Sequence, residues 1–392
     1  MTRVAMFIHG GIVPSSSTET VPALRALVGA LAETFDVTVY TTVGPDGRDA
    51  PFTAGRGDVK FVRARQDDNV LVRALRTVSA FSADHRARPY ALVHGFWGLP
   101  GGLAAVAAGR RFGVPSVVTL LGGEAASLPG IGYGNMRTRA GRALTLRTCS
   151  AADALTVLTR TQLDGLRRFN FGRERELHVI PFGTNAVRFS PVAAPPGAPP
   201  FHFLHVGHIN GVKDQATLLR AFRIMRTRID ARLRIVGEDT LGGSLQALAR
   251  ELGVADQVTF AGYADHDSVA RHFAWAHMLL HTSLYEGQGV VFAEAAASGI
   301  PICGTHVGLL ADMGASFART VPPGDPAELA HAAIALLGDP EAMAGQRATA
   351  LAWAREHSEE WTAGRFTRVY MNLAGEPLRP GARLAPAWSG LR

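Results

Sequence analysis

The stretch Ser190-Pro-Val-Ala-Ala-Pro-Pro-Gly-Ala-Pro-Pro200 decides how this chain is divided. Proline locks φ and lacks a backbone N–H group, so this proline-dense segment supports neither a helix nor an interior strand. A chain of 392 residues, 47% of them hydrophobic, is also too long for one ordinary core. We therefore expect two domains at residues 1–190 and 201–375, a Pro-rich linker at 191–200, and a poorly ordered tail at 376–392.

Short apolar runs alternate with helical patterns on both sides of the linker. Several runs are continuously apolar, which is typical of strands buried on both faces of a parallel sheet. Strand patterns cover residues 4–9, 37–42, 91–95, 117–121, 154–158 and 177–180, and then 201–207, 233–237, 258–262, 278–281 and 300–304. Helical patterns cover residues 21–35, 103–112, 214–229, 245–251, 268–276 and 290–298. This rhythm predicts an α/β protein with two doubly wound parallel-sheet domains that face a central cleft.

The formal net charge of +7 is confined to the first half of the chain. Residues 1–190 contain 23 Lys and Arg against 14 Asp and Glu, or +9, whereas residues 191–392 contain 17 against 19, or −2. Two interpretations stand: attraction to a phosphate-bearing acceptor or an anionic membrane surface, and a solvated basic face without a partner. The basic residues lack interleaved aromatic residues or a recognised motif, so nucleic acid is not an expected partner.

The cysteines and the apolar runs indicate the cellular compartment in which the protein is expected. Cys149 and Cys303 are the only cysteines and have no metal-type spacing, so we expect reduced thiols. The first apolar run is shorter than the core of a signal peptide, and no run reaches the roughly 18 residues of a membrane span. We therefore expect a cytoplasmic protein, with peripheral contact at the inner face of the membrane left open by the basic half.

Two carboxylates, Glu286 and Glu294, flank the segment Glu286-Gly-Gln-Gly-Val-Val-Phe-Ala-Glu294. From residue 287 to 311, Glu294 is the only Asp, Glu, Lys or Arg. A carboxylate surrounded by apolar residues loses hydration unless it has hydrogen-bond partners, and no counter-charge is nearby in sequence. Gly287 and Gly289 allow the backbone to approach a ligand closely. A polar ligand such as a sugar is therefore expected here, although Glu286 alone also fits a helix N-cap.

Motifs in matching order and spacing resemble glycosyltransferase family 4, the retaining glycosyltransferases with the GT-B fold. In the second half of the chain they are Val206-Gly207-His208 with Lys213, Ile235-Val-Gly-Glu238, Val258-Thr-Phe-Ala-Gly-Tyr263, Ser283-Leu-Tyr-Glu-Gly-Gln-Gly289 and Glu294-Ala-Ala-Ala-Ser-Gly-Ile-Pro301. Weaker matches in the first half are Gly10-Gly11, Val93-His94, Gly122-Gly-Glu124 and Val179-Ile-Pro-Phe-Gly183. The resemblance implies two Rossmann-like domains, the first binding an acceptor and the second a nucleotide sugar, with the last helix packing back on the first domain.

The resemblance also implies roles for particular residues. Lys213 would stabilise the negative charge that develops on the diphosphate as the sugar leaves. Glu286 would contact sugar hydroxyls and stabilise an oxocarbenium-like centre, and Glu294 would accept both ribose hydroxyls. Further donor contacts are implied for Gly10, Gly11, His208, Tyr263, Gly287, Gln288, Gly289 and Val290, and acceptor-side contacts for His94 and Glu124. For His94 the other interpretation is a buried histidine with satisfied hydrogen bonds. Lys213 and Lys60 are the only lysines among 40 basic residues, which favours a required ammonium over a chance surface lysine.

Two positions depart from the family pattern. His208 stands where an arginine usually accompanies the lysine, and it is either a phosphate donor or a solvent-facing strand-end histidine. Leu121 stands where a histidine close to the reacting sugar is common, which implies an altered subsite or a weakened catalyst. Asp265-His266-Asp267 spells the Asp-x-Asp of metal-dependent transferases, but two acids before a helix are more often caps. We therefore expect no metal and no cofactor.

The function predicted by these residues is a metal-independent retaining glycosyltransferase. It would move a hexose-type sugar from a nucleoside-diphosphate sugar to a glycan, lipid-linked or small-molecule acceptor. One alternative is a phosphorolytic enzyme on the same fold, in which inorganic phosphate replaces the acceptor. The other is a non-catalytic nucleotide-sugar-binding protein, which the departures at Leu121 and His208 motivate.

Overall fold

A computed structural model describes residues 1–10, 21–42, 53–54, 57–62, 68–172, 176–191 and 198–375. These residues form two α/β domains, each built on a largely parallel sheet flanked by helices. Gly11, most of the expected linker and the tail at 376–392 lie outside the described residues. The predicted pair of doubly wound domains is confirmed.

The N-terminal sheet is parallel except at one edge. Its strands are β1 (Arg3–Phe7), β2 (Asp36–Thr41), β3 (Thr53–Ala54), β4 (Gly57–Phe61), β5 (Leu92–Phe96), β6 (Ser116–Thr119), β7 (Ala154–Val157) and β8 (Leu177–Val179). In the described part of the chain their order is β3-β4-β2-β1-β5-β6-β7-β8, with β3 antiparallel to β4. Strands β5, β6 and β7 are buried at every residue, as expected of parallel strands covered on both faces.

The C-terminal sheet is parallel throughout its described strands. They are β9 (Phe201–Val206), β10 (Ala231–Val236), β11 (Val258–Gly262), β12 (Met278–His281), β13 (Ile302–Thr305) and β14 (Arg319–Val321). Their order is β11-β10-β9-β12-β13-β14, so the direction of winding reverses between β9 and β12. Sheets of this topology bind ligands beyond the carboxyl ends of the strands at the reversal. The loops after β9 and β12 are therefore where a site is expected.

Helices connect the strands and cover the sheets. They are α1 (Pro22–Leu31), α2 (Val70–Ala87), α3 (Leu103–Phe112), α4 (Arg139–Ala151), α5 (Arg160–Arg167), α6 (Gln215–Arg226), α7 (Ser244–Glu251), α8 (His266–Trp275), α9 (Val290–Ser298), α10 (Gly308–Met313), α11 (Pro326–Leu337), α12 (Pro340–Glu356) and α13 (Glu359–Ala374). Asn69, Asp265 and Asp325 cap α2, α8 and α11 by accepting N–H groups of the first turn. These caps fix the starts of the helices that follow polar loops.

The last helix, α13, crosses back to the N-terminal domain and packs beside α1. Its Trp361, Phe366 and Tyr370 are buried in the same apolar cluster as Val4 and Val39 of the N-terminal sheet. Burying side chains of this size contributes roughly 1.5–3 kcal/mol each. The end of the described chain therefore completes the core of the first domain.

Some elements differ from the sequence patterns. The expected helices at 103–112 and 290–298 coincide with α3 and α9, whereas the helix expected at 21–35 ends at Leu31. The patterns do not predict β4 or β14, because β4 interrupts its apolar residues with Asp58 and Lys60 and β14 has only three residues at a sheet edge. Cys149 and Cys303 are both buried thiols. In the described ranges, no helix combines the length and apolar character needed to cross a bilayer.

Candidate active site

An ion pair between Lys213 and Glu286 lies at the point where the winding of the C-terminal sheet reverses. Lys213 lies in the loop after β9, and Glu286 lies in the loop after β12. The Lys213 Nζ atom is 2.5 Å from Glu286 Oε1, and the side chains are 19% and 12% exposed. A cation and a carboxylate are thus held together where the topology predicts a ligand.

The two loops that carry this pair are joined by two hydrogen bonds, one from a side chain and one from the backbone. The Thr282 hydroxyl donates to the Lys213 carbonyl at 2.8 Å, and the Leu284 amide donates to the Val212 carbonyl at 2.8 Å. The Lys213 amide also donates to the Asn210 side-chain oxygen at 3.1 Å. The position of the ammonium is therefore set by neighbouring strands as well as by its own flexible side chain.

The Glu286 carboxylate accepts three hydrogen bonds on one oxygen. Its Oε1 atom accepts from Lys213, from the Ser283 hydroxyl at 2.6 Å and from His281 Nε2 at 3.0 Å. Burial raises the pKa of Glu286, but the Lys213 charge and the His281 hydrogen bond together hold it well below its usual range. Glu286 is therefore ionised at neutral pH, and none of these three bonds uses its Oε2 atom.

Glu294 is held separately, about one turn into α9. Its Oε1 atom is 2.8 Å from His266 Nε2, and its side chain is 9% exposed. Arg188 lies 3.4 Å from the other nitrogen of this ring, so His266 accepts there and donates to Glu294 through Nε2. Arg188 in turn pairs with Asp267 at 2.6 Å. A chain of polar contacts thus orients the Glu294 carboxylate.

The Asp265-His266-Asp267 motif is used in three different ways. Asp265 caps α8 by accepting from the Ser268 amide at 2.7 Å, His266 binds Glu294, and Asp267 pairs with Arg188. The two acids therefore do not converge on a common point. Among the residues that the structure describes, no group of three or more His, Cys, Asp or Glu is arranged to hold a metal ion.

Glu294 borders a cleft of about 730 Å³ between the domains. His208 and Tyr263 also line it, so three of the predicted donor-binding residues share one cavity. The glycines at strand ends Gly207 and Gly237 form part of its floor, and the opposite wall comes from α1 and the segment before the linker. Lining residues from that wall are Pro22, Arg25, Ala26, Asn185 and Arg188.

The His208 ring is partly exposed, whereas its backbone carbonyl is held by a hydrogen bond. Its side chain is 45% exposed, and its Nδ1 atom is 3.8 Å from Glu238 Oε2, beyond hydrogen-bond distance. Its carbonyl accepts from the Gln215 amide group at 2.9 Å. The ring therefore faces the cleft, and its proposed phosphate contact stays a prediction.

Glu286 borders a second hollow, of about 750 Å³. This hollow lies between the loops after β6 and β7 of the first domain and those after β12 and β13 of the second. Its lining includes Ser127, Arg160, Arg168, Tyr285 and Asp312. Glu286 therefore borders a cavity whose lining residues differ from those of the cleft at Glu294.

The loop at Glu286 touches the first domain directly. A side chain at Gly287 would place its Cβ 2.6 Å from the Leu121 carbonyl oxygen, which only glycine avoids. The Thr159 hydroxyl donates to the Gly287 carbonyl at 2.7 Å. The departure at Leu121 is thus at a domain contact, where its backbone supports the Glu286 loop.

Two further contacts hold the domains together near the site. The Gln288 side chain pairs with the backbone of Phe182, accepting from its amide and donating to its carbonyl, both at 2.7 Å. Asp312 of α10 accepts from the Arg160 and Thr161 amides at the start of α5, at 2.6 and 2.8 Å. The side chain of Gln288 is therefore engaged in the domain contact, and a sugar contact from this residue would come from its backbone.

The remaining predicted donor residues lie at loop and helix starts. Gly10 follows β1 with a φ of 120°, and Gly289 precedes α9 with a φ of 79°. Because Val290 begins α9, the first amides of this helix lack acceptors within the helix and are available as donors. These positions agree with a role at the cleft, which stays a prediction.

The two predicted acceptor-side residues, His94 and Glu124, are both buried. His94 is fully buried, with its nitrogens 2.5 Å from the Tyr370 hydroxyl and 2.6 Å from the Thr119 hydroxyl, and burial lowers its pKa to about 3. Its ring lies in the core, which removes it from direct contact with an acceptor. Glu124 accepts from the amides of Gly98, Leu121 and Gly122, so it orders the loop after β6.

Sequence reasoning missed His281, Ser283 and His266 as site residues. His281 ends an apolar strand five residues before Glu286, which is a signal because a buried histidine needs a polar partner. His266 lies between two acids, so the local pattern points only to helix caps or a metal motif, whereas its contact with Glu294 spans 28 residues. Such a contact has no signature in spacing.

Comparisons with known proteins agree with this architecture. Residues 20–183 match the glycosyl transferase 4-like domain, and residues 200–339 match the glycosyl transferases group 1. Glycogen synthase of Mycobacterium tuberculosis is 29% identical over 287 residues, which cover 71% of this chain and 68% of that protein.

Solved structures show the same fold. Sucrose-phosphate synthase from Thermosynechococcus elongatus superposes with a TM-score of 0.83 at 22% identity, covering 96% of this chain and all of that one. HepE of Anabaena, in a complex with UDP and glucose, superposes with a TM-score of 0.73 at 14% identity, covering 95% of this chain and all of that one. The chain therefore belongs to the GT4-type glycosyltransferases with the GT-B fold, and it is a transferase enzyme.

Proposed function

We propose that the protein transfers a hexose-type sugar from a nucleoside-diphosphate sugar to an acceptor, with retention of the anomeric configuration. The observation that carries the proposal is the Lys213–Glu286 pair, 2.5 Å apart at the reversal of the C-terminal sheet. The pair offers an ammonium for the departing diphosphate and an ionised carboxylate for the sugar. The acceptor is a glycan, a lipid-linked sugar or a small molecule.

Lys213 suits the diphosphate because its ammonium has donors to spare. An ammonium carries three N–H groups, and one of them is directed at Glu286. Breaking the bond between sugar and phosphate increases the negative charge on the diphosphate. A fixed cation therefore stabilises the transition state more than the ground state.

Glu286 suits the sugar because it stays ionised. A carboxyl group whose pKa is held well below its usual range carries no proton to give to a leaving group. It instead stabilises the positive charge of an oxocarbenium-like centre, through the oxygen that its three protein donors leave unused. Retention is proposed because the acceptor would attack this short-lived oxocarbenium-like centre on the face that the departing diphosphate occupies, with no covalent intermediate.

The cleft of about 730 Å³ suits the nucleoside part of the donor. Glu294, held by His266, supplies a carboxylate that accepts the ribose hydroxyls. Tyr263 lies at the edge of the cleft, 41% exposed, where it can border a base. The binding of UDP and glucose by the structural neighbour HepE supports a nucleotide sugar as the donor class.

We further propose that the reaction needs no metal ion. Asp265 and Asp267 are engaged in a helix cap and an ion pair, and Lys213 already supplies positive charge for the diphosphate. Turnover is therefore expected to be unchanged by excess EDTA and by added Mg²⁺ or Mn²⁺. A tenfold loss in EDTA that is restored by a divalent ion would overturn this part.

The acceptor is proposed to bind mainly on the first domain. Glu124 orders the loop after β6, next to the Glu286 loop of the second domain. The +9 formal charge of residues 1–190 favours an acceptor with a phosphate or a position at an anionic membrane surface inside the cell. Binding to vesicles with and without anionic lipid, measured by flotation, tests the second possibility.

The experiment that tests the function is a panel of nucleoside-diphosphate sugars incubated with the purified protein. Release of free nucleoside diphosphate with a candidate acceptor is the expected result. Formation of a sugar phosphate only when inorganic phosphate is added would favour a phosphorolytic enzyme. Binding of donors without any release, across all acceptors, would contradict the transferase reaction.

A further inference from the structure

Two histidines lie under the Lys213–Glu286 pair, on adjacent strands. His281 is the last residue of β12 and His205 the fifth residue of β9, and both are completely buried. The remaining residues of β12 are Met and Leu, so His281 is the one polar side chain of this strand. Buried polar side chains need hydrogen-bond partners. We therefore expect the two histidines to bond to polar groups around the Lys213–Glu286 ion pair.

The hydrogen bonds of His281 determine where its proton lies. Its Nε2 atom is 3.0 Å from Glu286 Oε1 and 2.7 Å from the Ser283 hydroxyl oxygen. Ser283 gives its own proton to Glu286, so His281 must donate through Nε2. Its Nδ1 atom is buried and has no hydrogen-bond partner among the described residues. The ring is therefore a neutral Nε2–H donor.

His205 fixes the plane of this ring. The two imidazoles stack with centroids 5.1 Å apart and an angle of 21° between their planes. His205 donates through Nδ1 to the Leu280 carbonyl at 3.0 Å and accepts from the Gln215 amide group at 3.2 Å. Phe292 of α9 meets His281 edge-on, with centroids 4.7 Å apart. His281 is thus held between a stacked ring and an aromatic edge.

The consequence for Glu286 is a fixed carboxylate rotation. Lys213 is a flexible side chain, and an ammonium accepts many geometries around one oxygen. His281 and Ser283 approach from the strand end with little freedom, and both bind Oε1. In this rotation the three protein donors share Oε1, and none of these bonds uses Oε2.

We propose that His281 is a positioning residue that holds the Glu286 carboxylate in its productive rotation, and that His205 fixes the plane of the His281 ring by stacking on it. The inference rests on the proposed function, because it assigns Glu286 to the reacting sugar. A neutral donor adds no second positive charge beside Lys213. The negative charge of Glu286 therefore remains available to a cationic centre.

The electrostatics agree with a neutral ring. Burial lowers the pKa of His281, and the nearby Lys213 charge lowers it further, against the opposing effect of Glu286. Burial and the neighbouring His281 lower the pKa of His205 to about 3. Both rings are therefore neutral at neutral pH, each with a proton on one nitrogen only.

The test compares His281→Leu, His281→Gln and His281→Asn in the full-length chain. Glutamine places an amide N–H near the position of Nε2, whereas asparagine reaches only the position of Nδ1, and leucine has no donor. We expect kcat to fall roughly 10- to 100-fold for Leu and Asn, with the donor KM within about threefold, and Gln to stay within about fivefold of wild type. His205→Phe, which keeps the ring but loses its hydrogen bonds, is expected to lower kcat by about 3- to 10-fold.

The matched control is His357→Leu, at a buried histidine stacked on Trp353 far from Glu286 in the sequence. It is expected to lower the melting temperature without changing kcat of the folded protein. The inference is overturned if His281→Leu keeps wild-type kcat, or if the Gln and Asn variants are equally slow. If the Leu variant does not fold, the test is the comparison of kcat between the Gln and Asn variants, because both carry an amide group and differ only in where they place it.

A measurement without turnover separates this inference from the proposed function. Nitrogen-15 spectra of the histidine side chains at neutral pH are expected to show His281 as a neutral ring protonated on Nε2. Glu286→Gln is expected to shift that Nε2 signal. A ring protonated on Nδ1, or on both nitrogens, would contradict the inference even if the donor panel gave activity. An inert wild-type enzyme with the expected spectrum would contradict only the proposed function.

Discussion

Lys213 and Glu286, 73 residues apart in sequence, form an ion pair of 2.5 Å that bridges the two loops at the reversal of the C-terminal sheet. Both side chains are largely buried, and hydrogen bonds from the Thr282 hydroxyl and the Leu284 amide join the two loops. Both charges of a buried ion pair lose hydration, so the pair adds little to the stability of the fold. Its presence is better explained by a role in the reaction.

The first prediction concerns the stability of this pair. Lys213→Met leaves a buried carboxylate without its counter-charge and is expected to lower the free energy of unfolding by about 3 kcal/mol. Glu286→Gln removes the negative charge and strands the ammonium, with a cost of about 2 kcal/mol. The double variant keeps the bonds from Ser283 and His281 without any charge, so it is expected to be more stable than Lys213→Met alone. Chemical denaturation checks this, and additive losses would contradict the coupling.

The second prediction concerns His266 and Glu294. His266→Phe removes the donor that holds the Glu294 carboxylate, so we expect the dissociation constant for the nucleotide to rise roughly tenfold. The value of kcat at saturating donor should change less than threefold, because the contact is remote from the bond that breaks. Isothermal titration with nucleoside diphosphate measures the first quantity. His202→Phe, at a ring stacked on Trp275, is the control and should leave binding unchanged.

The third prediction concerns the contact between the domains. Asp312→Ala removes the acceptor for the Arg160 and Thr161 amides and should cost about 1–2 kcal/mol of stability. Asp325→Ala removes an ordinary cap within one domain, at a similar cost. Only the first variant should increase the radius of gyration in small-angle X-ray scattering. Equal scattering from both variants would show that Asp312 does not hold the domains together.

The fourth prediction concerns pH and follows from His205. Its pKa is lowered to about 3 by burial, and then by His281, whereas an unfolded chain has a histidine pKa of about 6.5. Between these values the unfolded state binds more protons, so the free energy of unfolding falls by about 1.4 kcal/mol per pH unit as the pH drops below about 6.5. Above that value His205 contributes no pH dependence.

His205→Gln removes this titration. The slope of unfolding free energy against pH, measured from pH 6.5 to 4.5, should be smaller in the variant by about 1.4 kcal/mol per pH unit. The two slopes should agree at pH 7–8. Identical slopes across the acidic range would mean that His205 is protonated in the folded protein.

The sequence predicted the fold well because its signals are local. Continuous apolar runs give the buried parallel strands, and the proline-dense segment lies in sequence between the last strand of the first sheet and the first strand of the second. The sequence pattern does not predict β4 because charged and apolar side chains alternate along it, and it does not predict β14 because three residues at a sheet edge carry too little pattern. Strong periodicity therefore predicts long, apolar strands and helices better than short or partly charged strands.

The site was predicted in its parts and less well in its connections. The sequence predicts a different ligand group for each of Lys213, Glu286 and Glu294, namely the diphosphate, the sugar and the ribose. The structure also pairs Lys213 with Glu286 and Glu294 with His266. These contacts join residues 73 and 28 positions apart, so no local pattern contains them. The burial of His94 likewise depends on α13, which returns from the far end of the described chain.

The central claim is that the Lys213–Glu286 pair carries the transfer step, and Glu286→Gln tests it most directly. The variant keeps the size of the side chain and loses its charge. With the best donor of the panel, we expect donor binding within about tenfold of wild type and a kcat at least roughly 100-fold lower, with the fold verified by melting. A folded variant that turns over at the wild-type rate would contradict the account.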